Sequence, residues 1–452
     1  MNIIIVGCGK VGRVLAEQLN EADNNITVVD INGARVAEVT DHYDVMGVIG
    51  NGATHAVLQE AGIGKADLLI AVTGSDERNL LCCLIAKKAG VKCQTIARVR
   101  SPQYNAEAPY LKEELGLAMV INPELAAAEE IARVLRFPSA IKIDTFVKGK
   151  IELLKFKLPE DSPLCGMTVR EIGASLHCDL LVCTIERGDE AYIASGDFRF
   201  EAKDIISIIA EPKTAYVFFR KIHYKAKPVK DVLIAGGGDI THYLCELLDK
   251  SGIAVTVIEK DAERSVMLAD SLKTVNVISA DAIDQDVLMQ EHIEKVEAFV
   301  SLTNLDEENI LLSLFAKSVS DGKIVTKINR IDFDSVIEHL DLDTVVYPKN
   351  LTSDHIVRYV RAMTKTIGTG LETLYQVIKG KVEAAEFIVT DESALTAAPL
   401  MQLRLKDGVL VAAVFREGRV LIPRGSDQLQ IGDSVVVVTN HLGLRDMHDL
   451  LQ

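Results

Sequence analysis

The 452-residue sequence has no run of 18 uncharged apolar residues and no cleavable signal. The polypeptide is therefore expected not to span a membrane and to be cytoplasmic. Its eight cysteines (Cys8, Cys82, Cys83, Cys93, Cys165, Cys178, Cys183, Cys245) contain no C-x-x-C and sit mostly in apolar runs. Reduced core thiols are expected, not a metal site or a disulfide frame. No basic DNA-reading element is present, and a net charge of -16 opposes a nucleic-acid backbone as partner. The same charge suits a basic cytoplasmic surface of the kind integral membrane proteins present. Disorder is excluded by the 48% apolar fraction, and the length allows two to four domains with their own cores.

The chain is organised around Ile3 to Gly12, Ile-Ile-Ile-Val-Gly-Cys-Gly-Lys-Val-Gly. Four β-branched residues predict a buried strand, and Gly7, Gly9 and Gly12 form a G-x-G-x-x-G turn into a helix starting near Lys10. Gly7 allows the sharp turn, Gly9 lets the backbone approach a pyrophosphate, and Gly12 lets helix and strand lie close. The first-turn N-H groups then face the anion. Ile26 to Asp30 predicts the next strand, ending in a carboxylate 23 positions after Gly7. That is where a dinucleotide site places the acid for the adenosine ribose hydroxyls, and a 2′-phosphate there would meet a like charge. NAD(H) is expected over NADP; the plainer alternative is a helix-capping Asp after a turn that binds nothing.

The landmarks recur. Gly236 in Val232 to Thr241 lies 229 residues after Gly7, and Glu259, ending Val255 to Glu259, lies 229 after Asp30. Thr73-x-x-Asp76-Glu77-x-Asn79 returns as Thr303-x-x-Asp306-Glu307-x-Asn309, shifted by 230, and Arg98 falls opposite Lys327. Beyond these lie Ile131-x-Arg133-x-x-Arg136 and Ile356-x-Arg358-x-x-Arg361 on helix-like segments, with Pro138 helping to end the first. Two β-rich stretches follow, Lys142 to Leu158 and Leu374 to Val389, each with a Gly-Lys turn (Gly149-Lys150, Gly380-Lys381). Strands at Leu180 to Glu186 and Val409 to Phe415 come next, then Lys-Asp or Gly-Asp before Ile205 to Ala210 and Ser434 to Thr439.

The expected fold class is α/β: two Rossmann-like doubly wound parallel sheets, each followed by a small α+β domain. Residues 1–123 and 230–348 are the expected nucleotide folds, residues 140–224 and 369–452 the small domains, and Tyr224 to Lys230 a short basic linker. Tandem halves joined so briefly are expected to pack together.

Other candidates follow from the sheet edge. Thr73 and Gly74 end the predicted strand Leu68 to Val72, and Asn51 and Gly52 follow Val45 to Ile49, all at the carboxyl edge where ligands of open α/β sheets bind. Thr73, Ser75 and Asp76 are also expected to cap the next helix, and Asn51-Gly52 reads equally as a plain turn. Arg98 suits a pyrophosphate fork, with a surface ion pair as its alternative. The candidate cofactor-binding set is Gly7, Cys8, Gly9, Lys10, Val11, Gly12, Asp30, Asn51, Gly52, Thr73, Gly74 and Arg98, with Gly236, Gly237, Gly238, Asp239, Ile240, Glu259, Asp281, Thr303 and Lys327 in the second copy. No metal ligand and no catalytic residue is assigned. Of ten histidines only His55 falls near a nucleotide-edge loop, while His177, His223 and His441 read as scaffold. A dehydrogenase needs a proton donor or acceptor beside the nicotinamide, so the cofactor is read as a ligand that reports state.

The copies differ. Asp239 replaces Lys10, Lys327 replaces Arg98 and Thr241 replaces Gly12. Reversing a unit charge a few ångströms from a phosphate is worth roughly 1 to 4 kcal/mol, so the second site is expected to be weaker or to prefer another adenine nucleotide.

This order of domains, with Gly7 to Gly12, Asp30, Thr73 to Asn79 and Arg98 in place, resembles the RCK (regulator of potassium conductance) or KTN family over essentially the whole chain. The resemblance implies a cytoplasmic assembly, usually a four-chain ring in two-repeat members, peripheral on the cytoplasmic face of a potassium-translocating membrane protein. It also implies binding of NAD(H) and adenine nucleotides, ATP or ADP among them, to gate transport. Many members carry Asp at the Gly52 position, as this chain does at Asp281. The segments Pro123 to Phe137 and Asn350 to Lys365 are candidate crossover helices exchanged with a neighbour, or simply packed on their own domain. A soluble NAD-dependent oxidoreductase and a stand-alone NAD-sensing regulator are the rival readings.

Overall fold

The computed structural model describes residues 1–21, 24–89, 92–137, 140–176, 178–222, 229–329, 334–340, 342–363, 371–378, 380–444 and 446–451. Pro138, His177, His223, linker residues 224–228, and Thr364 and Lys365 lie outside that set.

Six short apolar segments, β1 (Asn2–Val6), β2 (Asn25–Asp30), β3 (Met46–Ile49), β4 (Leu68–Ala71), β5 (Gln94–Arg98) and β6 (Met119–Ile121), form one sheet in the order β3-β2-β1-β4-β5-β6. Every pairing in it is parallel. A parallel sheet needs crossovers that cover both faces, which is why β1 and β4 are apolar without alternation and almost wholly buried. The chain order reverses between β1 and β4, so the loops after them diverge and leave a crevice at the carboxyl edge.

After Arg136 the pattern changes. β7 (Lys142–Phe146), β8 (Ile151–Lys157), β9 (Leu180–Arg187), β10 (Glu190–Ile193) and β11 (Ile205–Ala210) pair antiparallel in the order β10-β9-β11-β8-β7. Gly149, at φ +83°, makes the expected turn between the first two. The Lys203-Asp204 pair seen in the sequence has a structural job. Asp204, 1% exposed, takes both forks of Arg187 at 2.8 Å and the N–H of Glu201 at 2.8 Å.

The second half repeats both sheets. β12 (Asp231–Ala235), β13 (Ala254–Glu259), β14 (Asn276–Ser279), β15 (Ala298–Ser301), β16 (Lys323–Lys327) and β17 (Thr344–Val346) run parallel in the order β14-β13-β12-β15-β16-β17. β18 (Leu371–Ile378), β19 (Val382–Ile388), β20 (Val409–Arg416), β21 (Arg419–Leu421) and β22 (Ser434–Thr439) form the second antiparallel sheet, in the order β18-β19-β22-β20-β21. Asp433 and Arg416 repeat the buried clamp at 2.7 Å.

Like groups with like. Met1–Ala132 and Lys230–Val360 form one compact unit, Arg133–Val229 and Arg361–Gln452 the other. The chain leaves the first unit inside the helix Pro123–Arg136 and again inside Pro348–Met363. The second of these starts two residues before the expected Asn350, because proline's fixed φ favours the first helical turn.

Within the nucleotide-fold unit, Tyr243 joins the halves. Its hydroxyl donates to the Arg100 carbonyl at 2.8 Å and accepts from Asn122 Nδ2 at 2.9 Å. In the other unit, Phe146, Ile151, Leu153, Cys183 and Ile209 share one apolar core with Val382, Ala384, Ala413, Val436 and Val438. Tyr375 donates there to the Thr145 carbonyl at 2.8 Å, and its ring meets Phe146 edge-on with centroids 5.0 Å apart.

Candidate functional site

The glycine turn follows β1, and each glycine meets a different constraint. Gly7 has φ +110°, and a Cβ there would lie 3.0 Å from the Val72 carbonyl and the Thr73 amide. At Gly9 a Cβ would meet nothing within 4 Å, leaving room for a ligand. At Gly12 it would lie 1.8 Å from the Gly7 carbonyl oxygen, so the helix Lys10–Glu21 rests directly on the turn. The Gly7 N–H donates to the Val29 carbonyl at 2.7 Å, tying the turn to β2.

Asp30, at the end of β2, is 9% exposed and accepts the Cys8 N–H at 2.7 Å and the Asn32 N–H at 2.9 Å, one on each oxygen. A carboxylate has about four acceptor positions, so both oxygens keep capacity toward a ribose. The Cys8 thiol is pushed up to about 12 by burial, with the Asp30 charge adding to the effect; it is a core thiol, not a reactive one. Among the described residues no cluster of His, Cys, Asp and Glu could hold a metal.

These elements enclose a cavity of about 370 Å³ at the carboxyl edge. Gly7, Gly9, Lys10, Val11, Asp30, Asn51, Gly52, Thr73, Gly74 and Arg98 all line it, whereas Cys8 and Gly12 do not. Gly12 acts through packing, and Cys8 offers its backbone N–H to Asp30. Gly52 is a packing position as well, since a Cβ would lie 2.4 Å from Val6 Cγ1. Asn51 Oδ1 accepts the Ala53 N–H at 3.0 Å, an Asx turn that holds the loop open.

The Thr73-to-Asn79 motif proves to be a clamp between strand ends. Asn79 Oδ1 accepts from the Thr73 N–H and hydroxyl, both at 2.7 Å, and its Nδ2 donates to the Arg98 carbonyl at 2.8 Å. Helix capping, expected of three residues, falls to Ser75, whose hydroxyl accepts the Arg78 N–H at 3.2 Å. Asp76 instead accepts the N–H groups of Arg100 and Ser101 at 2.8 and 2.9 Å, because the loop after β5 brings them within reach. Asn309 and Asp306 repeat this toward Thr303, Lys327 and Asn329.

Arg98 uses one fork nitrogen on the Thr73 carbonyl at 2.7 Å, so only part of its guanidinium is left for a phosphate. Its Nε is buried and has no partner among the described residues, as is Glu124 Oε2 in the same cavity wall. Burial lowers the Arg98 pKa, with Arg100 adding to it. Burial raises that of Glu124 against the opposing pull of Arg98 and Arg100. Both residues line the cavity, while these two atoms lie beneath its surface.

Five wall residues with polar or charged side chains escaped the sequence reading: Arg35, Arg78, Glu124, Asn329 and Lys349. The last two come from the second half. The recurrence of Pro123-Glu124 as Pro348-Lys349 was the available signal.

The second cradle keeps the frame and changes the chemistry. Gly236 has φ +101°, and Glu259 accepts the N–H groups of Gly237 at 2.6 Å and Asp261 at 2.8 Å, as Asp30 does for Cys8 and Asn32. Thr241 adds a side chain where the first copy has Gly12, yet it does not obstruct the turn. It is fully buried and donates to the Gly236 carbonyl at 2.5 Å, converting a steric contact into a hydrogen bond. Asp239 and Asp281 are exposed, and Asp281 closes an Asx turn on Ile283 at 3.0 Å. Gly238 meets nothing within 4 Å; Ile240 is buried, and Thr303 is held by Asn309. Lys327 donates to the Leu302 carbonyl at 3.2 Å, and burial brings its ammonium down to about 8.

Residues 3–123 and 232–348 match the TrkA-N domain, and residues 153–223 and 384–452 the TrkA-C domain. The chain belongs to the TrkA family. It is 31% identical to the Trk system potassium uptake protein TrkA homolog 1 of Methanosarcina mazei over 97% of both chains. It is 31% identical to the Trk system potassium uptake protein TrkA of Haemophilus influenzae, covering 97% of this chain and 95% of that one. Its fold is also that of a solved structure described as the GsuK channel bound to NAD, with a TM-score of 0.65, 17% identity, and 97% of this chain and 76% of that chain covered. This TrkA-family chain thus has two TrkA-N folds in one compact unit and two TrkA-C folds in the other.

Proposed function

We propose that this chain is a peripheral regulatory subunit that binds NAD(H), or ADP and ATP, in its first cradle and gates a potassium-translocating membrane protein. Gly9 to Val11 offer backbone N–H groups to a pyrophosphate at the helix N-terminus, and Gly12 keeps that helix in place. Asp30 accepts from the adenosine ribose, Asn51 and Gly52 border the adenosine, and Thr73, Gly74 and Arg98 face the remaining phosphate and ribose. When bound, the nicotinamide supplies no chemistry that this reading uses. The chain's residues bind and orient the nucleotide and make or break no bond in it.

The observation that carries this reading is the cavity at the β1/β4 reversal, which brings Gly9, Lys10, Asp30 and Arg98 into one wall. Family membership supports the partner, since relatives are named for potassium uptake. Assembly as a four-chain ring on the cytoplasmic face of the membrane is part of the proposal. Gating requires the nucleotide to bind two arrangements of the assembly with unequal affinity. The second cradle, with Asp239 where the first has Lys10, is weaker for a pyrophosphate or takes a different adenine nucleotide.

The test is potassium flux through the co-reconstituted transporter with each nucleotide, using wild type, Asp30→Ala and Arg98→Ala. Nucleotide-dependent flux lost in both variants is expected. Flux indifferent to every nucleotide, or steady oxidation of bound NADH by small metabolites, would refute the proposal.

A further inference from the structure

The first cradle is not built by the first repeat alone. Asn329, Pro348 and Lys349 of the second repeat stand in the same cavity wall as Lys10 and Arg98. Pro348-Lys349 occupies in the second repeat the place of Pro123-Glu124 in the first, each opening the helix that closes its half. Both pairs, Pro123-Glu124 and Pro348-Lys349, stand in the wall of the first cradle.

The first cradle holds its own Lys10 and Glu124 together with Lys349 from across, whereas in the second repeat Asp239 stands in the place of Lys10. The charged residues in the first wall are Lys10, Arg35, Arg78, Arg98 and Lys349 against Asp30 and Glu124, an excess of three positive charges. A single phosphate beside the ribose does not require that excess; a chain of phosphates does.

We propose that Lys349 is a phosphate-binding residue of the first cradle, contributed by the second repeat, and that it selects nucleotides whose phosphates extend beyond the ribose 5′-phosphate: dinucleotides and nucleoside di- or triphosphates. This rests on the nucleotide reading of that cradle. Lys349 is 9% exposed, and a lysine ammonium has three protons, so it can serve both its surroundings and a ligand. Tyr243 ties the two repeats together by bridging Asn122 and the Arg100 carbonyl. Binding at the first cradle then loads the second repeat directly.

Titration calorimetry of the full chain with AMP, ADP, ATP and NADH tests this, comparing wild type with Lys349→Gln, Lys349→Arg and Asp30→Ala. Lys349→Gln is expected to weaken ADP, ATP and NADH by about tenfold or more, the value of one cation near a phosphate, and AMP by less than about twofold. Lys349→Arg is expected to restore most of the loss, and Asp30→Ala to weaken all four ligands together. A Lys349→Gln loss equal across AMP, ADP and ATP would mark a structural role and overturn the inference, as would unchanged affinities. Wild type that binds none of the four takes down the nucleotide reading as well, whereas tight wild-type binding with an indifferent Lys349→Gln sinks this inference alone.

Discussion

Replacing Gly12 by alanine sets two opposite expectations against each other. Helix propensity favours alanine over glycine by about 1 kcal/mol at an interior position. The structure places the new methyl carbon 1.8 Å from the Gly7 carbonyl oxygen, where ordinary contact needs about 3.5 Å. No side-chain rotation relieves a Cβ, so the start of the helix Lys10–Glu21 must retreat by roughly 1.7 Å. Forcing volume into a packed site costs about 1–3 kcal/mol, which outweighs the propensity gain over most of that range. At roughly 2–4 °C per kcal/mol for a fold of this size, the thermal midpoint should fall by several degrees. Nucleotide affinity should fall further, because the displaced helix carries the N–H groups that face the phosphate, and bonds of this charged kind are worth about 1.5–3 kcal/mol each. Thr241, at the equivalent place in the second copy, meets its turn with a hydroxyl that bonds to Gly236; alanine has no such group. The assay is thermal unfolding with and without NADH, paired with calorimetric affinity. A Gly12→Ala variant with unchanged midpoint and affinity would refute the packing argument.

Other expectations follow from the same contacts. Lys327 and Lys323 are held near 8 by burial, against about 10.4 in an unfolded chain. Between those values the unfolded state binds more protons, so stability rises with pH from 8 toward 10. Lys327→Met should be more stable than wild type at pH 7 by up to about 3 kcal/mol and lose that advantage by pH 10; denaturant midpoints across pH that show no convergence would count against it. Asp204→Ala leaves Arg187 without its buried partner and should cost about 2–4 kcal/mol, read by chemical unfolding. Tyr243→Phe removes the bridge to Arg100 and Asn122 and should cost about 1–3 kcal/mol. It should also weaken any influence of first-site ligand on second-site affinity; two titrations with unchanged coupling would oppose this.

Much of the frame was legible because it depends on local chemistry. The run Ile3 to Val6 must be buried, and the Gly7 position needs a conformation that other residues rarely adopt. The repeat at 229–230 residues then made the second nucleotide fold as readable as the first. The site was legible in part. Gly7, Gly9, Lys10, Asp30 and Thr73 reached the cavity wall because strand ends in such a sheet converge on one edge. Cys8 and Gly12 did not, since one offers only its backbone and the other only its lack of a side chain. Arg78 and Arg35 were missed because nothing in their local pattern separates a wall residue from a solvated one.

The sequence by itself determined that two glycine turns exist, that each has an acid at the end of the following strand, and that the phosphate-side charges are of opposite sign at Lys10 and Asp239. These properties belong to neighbours along the chain, and spacing alone reveals them. Only the tertiary structure decided that the two nucleotide folds share one compact unit, that Tyr243 ties them, and that Lys349 stands in the wall of the other repeat's cavity. The contacts responsible join residues more than a hundred positions apart. Such pairs are chosen by which apolar faces are left to bury and which charges then meet, and no local pattern encodes that choice.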